Sequence, residues 1–213
     1  MATVTRLYDT HTQALSAVSD LEAAGIRSDD ISIVSNNADN WHAGHEHPSD
    51  SRSGSHGNGN ADHDVADGAS KGATTGGLLG AGAGLLAGLG MLVIPGLGPV
   101  VAAGWLASTA VGAAAGAAAG GATGGLLGAL KDAGHSEEDA NVYAEGVRRG
   151  GTLVSVKASD DDADRIEKIL HGNEGFDAAN RGEAYRSTGW TAFQPDARPY
   201  SSEDISRERA LYR

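Results

Sequence analysis

The 213-residue chain contains no cysteine, which removes disulfides, iron–sulfur clusters, thiol catalysis and cysteine-based zinc sites together and agrees with a reducing compartment. Aromatic side chains are scarce, at 5% of the residues, so a bulky enzyme core has little to fill it. Basic residues are also few. Sixteen Lys and Arg stand against 28 Asp and Glu, for a net charge of −12, whereas tracking a phosphate backbone requires a basic footprint that displaces counterions. No nucleic-acid partner is expected. The opening Thr3-Val4-Thr5-Arg6-Leu7-Tyr8 lacks a basic run followed by an apolar one, so no secretory signal is read and the polar parts are expected in the cytoplasm. No Ser/His/Asp arrangement or carboxylate pair stands out and no cofactor motif is recognised, which points away from an enzyme.

Glycine, by contrast, is abundant. Its 32 positions are about twice the usual share, and many fall in one stretch, Gly72 to Leu130, that carries no charge at all. Small residues recur there every fourth position: Gly72, Gly76, Gly80, Gly84 and Gly88, then Gly104, Ser108, Gly112, Gly116, Gly120, Gly124 and Gly128. On a helix of 3.6 residues per turn each step of four advances about 40° beyond a full turn. The small residues therefore form an inclined groove that admits close backbone approach. Over several steps the groove turns too far for one antiparallel neighbour to cover it, which predicts more than one helix–helix contact per arm and a homo-oligomer.

Ile94-Pro95-Gly96-Leu97-Gly98-Pro99 interrupts the stretch, because two prolines and two glycines stop a helix. The reading is a glycine-zipper helical hairpin over 71–131. Leu78, Leu79, Leu85, Leu86, Leu89, Leu92 and Val93 make the first arm, Thr74 to Ile94, apolar all round. Such a helix is either fully buried or in lipid. Its length suits a hydrocarbon core of about 30 Å, and Trp105 would serve as an interfacial aromatic. Membrane lipid is the expected partner. Lys71, Lys131, Arg148 and Arg149 would lie on the cytoplasmic side of an inner membrane. The alternative is a soluble, self-assembling structural protein whose hairpins bury one another.

Outside this stretch the pattern is β-α-β twice over. Residues 1–36 hold a strand at Thr3–Tyr8, a helix opened by the capping box Thr10-His11-Thr12-Gln13 and closed by Gly25, and a strand from Asp30 to Ser35. Residues 132–179 hold a helix opened by Ser136-Glu137-Glu138-Asp139 and ended at Gly150-Gly151, a strand at Thr152–Lys157, and a helix carrying Ile166, Ile169 and Leu170. A short edge strand at Gly175–Ala178 follows. The predicted fold class is α+β, a ferredoxin-like split βαβ sandwich with two helices on one face of an open sheet, interrupted by the hairpin. Residues 180–213 read as a polar tail with spaced aromatics, a short helix from Ser202, and an unknown protein partner.

Residues 37–70 are almost devoid of apolar side chains and read as a disordered linker. His42, His45 and His47 within it are candidate metal ligands, although without rigid support around them a solvated linker is the default reading. A small-molecule or metal sensor built on this linker and the sheet is a further alternative. Arg148 and Arg149 read as two exposed arginines at a helix stop. Asp160-Asp161-Asp162 complements the dipole of the helix it opens.

Val4-Thr5-Arg6-Leu7-Tyr8-Asp9, Asp20-Leu21-Glu22-Ala23-Ala24-Gly25-Ile26, Asp30-Ile31-Ser32-Ile33-Val34, the glycine zipper with Ile94-Pro95-Gly96, and the run from Tyr143 to Val156 resemble the bacterial general stress protein 17M-like (heat-induced stress protein) family. The resemblance covers most of the chain except the His-rich linker. It implies a stress-associated bacterial protein with a ferredoxin-like domain, and it brings no active site.

Overall fold

The computed structural model describes residues 2–39, 90–94, 96–110 and 125–211. Strand β1 (Ala2–Tyr8) leads into helix α1 (His11–Ala23) through the expected capping box. Thr10 Oγ1 accepts from the Gln13 amide at 3.3 Å, while Gln13 Oε1 accepts from the Thr10 amide at 3.2 Å. Gly25, at φ +86°, turns the chain after α1 toward β2 (Ile31–Asn36). Then come β3 (Gly90–Ile94), β4 (Gly98–Ala103), a helical turn at 105–110, α2 (Leu126–Asp132), α3 (Glu137–Arg148), β5 (Thr152–Ala158), α4 (Ala163–Gly172), α5 (Ala178–Ser187) and α6 (Ser202–Ala210).

The class is α+β. One five-stranded sheet runs β1-β5-β2-β4-β3 with every neighbouring pair antiparallel, so β1 and β2 run in the same direction on either side of β5. The expected edge strand at Gly175–Ala178 is reduced to one bridge beside β1, in which Leu7 and Phe176 exchange both backbone hydrogen bonds at 2.9 and 2.8 Å.

The sheet is covered on both faces, not on one as the apolar inventory predicts. Tyr8, Ile31, Ile33, Val154 and Val156 pack with Val18 and Leu21 of α1 and Ile166 and Leu170 of α4. Leu7, Val34 and Leu153 point the other way, onto Ala140, Tyr143, Ala144 and Val147 of α3, with α2 and α5 flanking. Period-two alternation sends neighbouring strand residues to opposite faces. Small residues along α3 let it lie close: a Cβ at Gly146 would stand 2.2 Å from Leu7 Cδ2.

Residues 90–94 and 98–103 are strands, which corrects the helical reading of the hairpin at these positions. Three local causes favour extended backbone. Ile94 and Gly98 each precede a proline, which disfavours the α region; Val93, Ile94, Val100 and Val101 are β-branched; and β2 offers an edge, paired from Ile33↔Ala103 to Asn36↔Val100. The turn between the strands closes with the Leu97 amide donating to the Ile94 carbonyl at 3.1 Å. The rest of both predicted arms, 72–89 and 111–124, and the linker with His42, His45 and His47 lie outside the described residues. Among the described residues no helix is long and apolar enough to cross a membrane.

The C-terminal stretch also differs from the polar tail that its composition predicts. Tyr185, Phe193 and Ile205 are buried, and the chain crosses the β3–β4 turn, where a Cβ on Gly96 would meet the Pro195 carbonyl oxygen at 2.7 Å. Spaced aromatics here are anchors. The short helix from Ser202 forms as expected, capped by Ser201 and Asp204.

Candidate functional site

The densest polar cluster lies where α3 ends. On a helix, residues three and four apart share a face, and Glu145 accordingly receives both Arg148 and Arg149. Arg148 Nε donates to Oε2 at 3.0 Å, and Arg149 Nε to Oε1 at 2.7 Å. Glu145 is fully buried, and the two arginine side chains are only 15% and 9% exposed. They are not the exposed arginines of the sequence reading.

The C-terminal segment covers them. Arg149 donates to Glu208 Oε1 of α6 at 2.5 Å and sits 4.2 Å over the Tyr185 ring of α5, and Arg148 sits 4.7 Å over the Tyr200 ring. Ile205 fills the place left by the missing side chain of Gly150, where a Cβ would come within 2.3 Å of it. Gly150 also adopts φ +96°, a conformation that favours glycine. Beside this, Arg181 donates to Asp9 Oδ1 at 2.6 Å and Arg209 donates to the Gly150 carbonyl at 2.9 Å while facing Asp39 at 3.8 Å.

Burial, the largest influence on Arg149, works against its charge. The hydrogen bonds and charges of Glu145 and Glu208 outweigh it, so its pKa is raised. Arg148, Arg149, Arg181 and Arg209 thus face Glu145, Glu208, Asp9 and Asp39. A narrow cleft remains between Asp9, Arg149, Arg181, Tyr185, Glu208 and Arg209. With four arginines facing four carboxylates, the cluster ties the C-terminal segment to the end of α3.

A second cluster invites a nucleophile reading. Thr5 Oγ1 lies 2.8 Å from His135 Nε2 and donates to Ser155 Oγ at 2.9 Å, and the Tyr143 hydroxyl donates to the Thr5 carbonyl at 2.9 Å. Thr5 and Ser155 are 2% and 0% exposed, so both hydroxyls are closed off from solvent. The His135 ring stands edge-on to Tyr143 at 5.5 Å. Burial, against a smaller opposing effect of Asp139, lowers its pKa. Burial also pushes the Tyr143 phenol up to about 12.

Three of the period-four small residues fall among the described residues. Gly104, at φ +86°, forms the corner after β4, where a Cβ would stand 2.3 Å from the Ile31 carbonyl oxygen. Ser108 is exposed and donates to the Trp105 carbonyl at 2.8 Å. Gly128 is half-buried within α2. Trp105 itself belongs to the body, its Nε1 donating to the Asp30 carbonyl at 3.2 Å and its ring lying 4.5 Å from Lys157 Nζ. The other small-residue positions, Gly72, Gly76, Gly80, Gly84, Gly88, Gly112, Gly116, Gly120 and Gly124, lie outside the described residues, as do His42, His45 and His47.

Among the described residues no group of three His, Asp or Glu side chains is placed to hold a metal; Asp162 is engaged with Arg165 at 2.8 Å. Sequence reasoning missed Glu145, Arg181 and Glu208. The available signal was Glu145 three and four residues before Arg148 and Arg149, with aromatics downstream to cover them. Comparison with known proteins finds no matching family model, no matching curated protein and no matching solved structure.

Proposed function

We propose that this chain is a non-enzymatic, self-associating structural protein, in which a folded α/β body carries two uncharged Gly/Ala/Leu segments that make contacts between copies. One observation carries the reading. The body takes residues 90–94, 96–110 and 125–130 out of the uncharged stretch, with Ile94, Val100, Leu106, Ala110, Leu126 and Leu130 buried in the core that α3 completes. Residues 72–89 and 111–124 are what remains. As helices, stretches of that length would rise about 27 and 21 Å, so the second falls short of the roughly 17 to 25 residues that a bilayer core requires and the first only just reaches that range. Their glycines still recur every fourth position, and small residues at that spacing suit close helix–helix contact.

The second reading is attachment to lipid at the bilayer surface, favoured by the all-round apolarity that Leu78, Leu79, Leu85, Leu86 and Leu89 give to 72–89. A ferredoxin-like core belongs to either reading. Its support is the lateral order Phe176, β1, β5, β2, with α1 joining β1 to β2, α4 joining β5 to Phe176, and both helices on one face. A stress-associated role follows the family resemblance.

The test is light scattering of the full chain without detergent, paired with flotation on anionic vesicles. The wild type is expected as an assembly that stays with the soluble fraction, and Gly80→Leu/Gly84→Leu/Gly116→Leu/Gly120→Leu is expected to have a lower mass. A monomer that floats with the vesicles would replace self-association with the lipid reading.

A further inference from the structure

The two edges of the sheet are treated differently. Beside β1 the edge is closed in part by Phe176, which takes up both backbone groups of Leu7. Along β3 no strand among the described residues pairs with the outer side. Natural edge strands are commonly protected by a charge, a proline or a bulge. Gly90-Met91-Leu92-Val93-Ile94 carries none of the first two, and its five positions pair in register with Ala102 to Gly98 without a bulge. Its side chains are not turned away from solvent either. Met91 is 52% and Val93 82% exposed, and these are two of only four large hydrophobic side chains left exposed among the described residues.

Charge decides what fits this edge. Each copy carries a net charge of −12, so most approaches between two copies bring like charges together. The β3–β4 hairpin lies inside the uncharged stretch and forms the lateral end of the sheet. Two copies therefore meet there at the least electrostatic cost. An isologous twofold contact also pairs the outward backbone groups of both strands at once.

We propose that β3 is a pairing edge, and that two copies of this chain join β3 to β3 antiparallel across a twofold axis to make one continuous sheet. This rests on the self-association reading and names one contact within it. The pairing is separate from the glycine segments, which would then link such pairs into larger assemblies.

The test uses sedimentation equilibrium of the full chain in detergent-free buffer, first in the Gly80→Leu/Gly84→Leu/Gly116→Leu/Gly120→Leu background, where the pairing predicts a dimer. Adding Val93→Lys places two like charges, one from each copy, on the same face of the seam and halves the mass to that of a monomer. Val93→Thr, still β-branched and uncharged, keeps the dimer. Met91→Lys provides a second charged variant at another exposed position, and far-ultraviolet circular dichroism confirms that each variant folds. A monomer already in the glycine-substituted background overturns the edge pairing and leaves self-association standing. A dimer unaffected by both lysines overturns it as well. A monomeric wild type removes both.

Discussion

Truncating Glu145 to alanine measures how firmly the C-terminal segment is tied to the body. The substitution removes the shared acceptor of Arg148 and Arg149, whose side chains are 15% and 9% exposed. Removing one partner of a buried ion pair typically costs about 3–5 kcal/mol, because the charge left behind has lost its water as well as its partner. The lower end applies here. Arg149 retains Glu208 and the Tyr185 ring, and Arg148 retains the Tyr200 ring. A loss of about 3 kcal/mol lowers the melting temperature of a domain of this size by about 6–12 °C. Urea unfolding followed by tryptophan fluorescence reads the loss, since Trp190 packs edge-on to Tyr185 at 5.8 Å. Limited proteolysis of the same variant should release residues after Ser187 first. A stability change under about 1 kcal/mol, with unaltered proteolysis, would show that the cluster is an incidental surface network and refute the clamp.

Gly104→Ala sets a Cβ 2.3 Å from a backbone carbonyl at a residue with φ +86°, so it should cost at least about 2 kcal/mol in urea unfolding while leaving the assembly mass unchanged. An unchanged stability with a reduced mass would instead return Gly104 to the helix-packing role that its spacing predicts. For His135, burial lowers the folded pKa, so between the ordinary value of about 6.5 and that lowered value the unfolded chain holds a proton that the folded chain does not. Stability contributed by the neutral ring is full above about pH 6.5 and declines as the pH falls. His135→Gln should flatten the urea midpoint between pH 7.5 and 5, and an identical slope in this variant would contradict the assignment.

The elements with their own local signals were legible. Thr10 with Gln13 and Ser136 with Asp139 marked helix starts that the structure repeats, because a cap is decided within four residues, and the short helix from Ser202 forms as expected. The strands at 2–8, 31–36 and 152–158 were legible for the same reason: alternation and β-branching act locally. What the sequence concealed depends on distant partners. Val100 and Val101 sit in a stretch whose four-residue glycine period argues for helix, and the edge of β2, added to the local effects of proline and β-branching, turns that run into a strand. Glu145 and Glu208 are 63 positions apart, and nothing near either one announces the other. Tyr185 and Phe193 looked like aromatics of a polar tail because their burial is supplied by α3, over thirty residues earlier. The candidate glycine contacts at 72–88 and 112–124 remain tied to sequence spacing alone, so they stand as proposals.

Self-association is the central claim, and its most direct measurement is the mass of the wild-type full chain by sedimentation equilibrium, at micromolar concentration and without detergent. A mass at least twice that of one 21.5 kDa chain, lowered by the four glycine-to-leucine substitutions, is the predicted result. A single species at the mass of one chain, the same in wild type and variant, would contradict it.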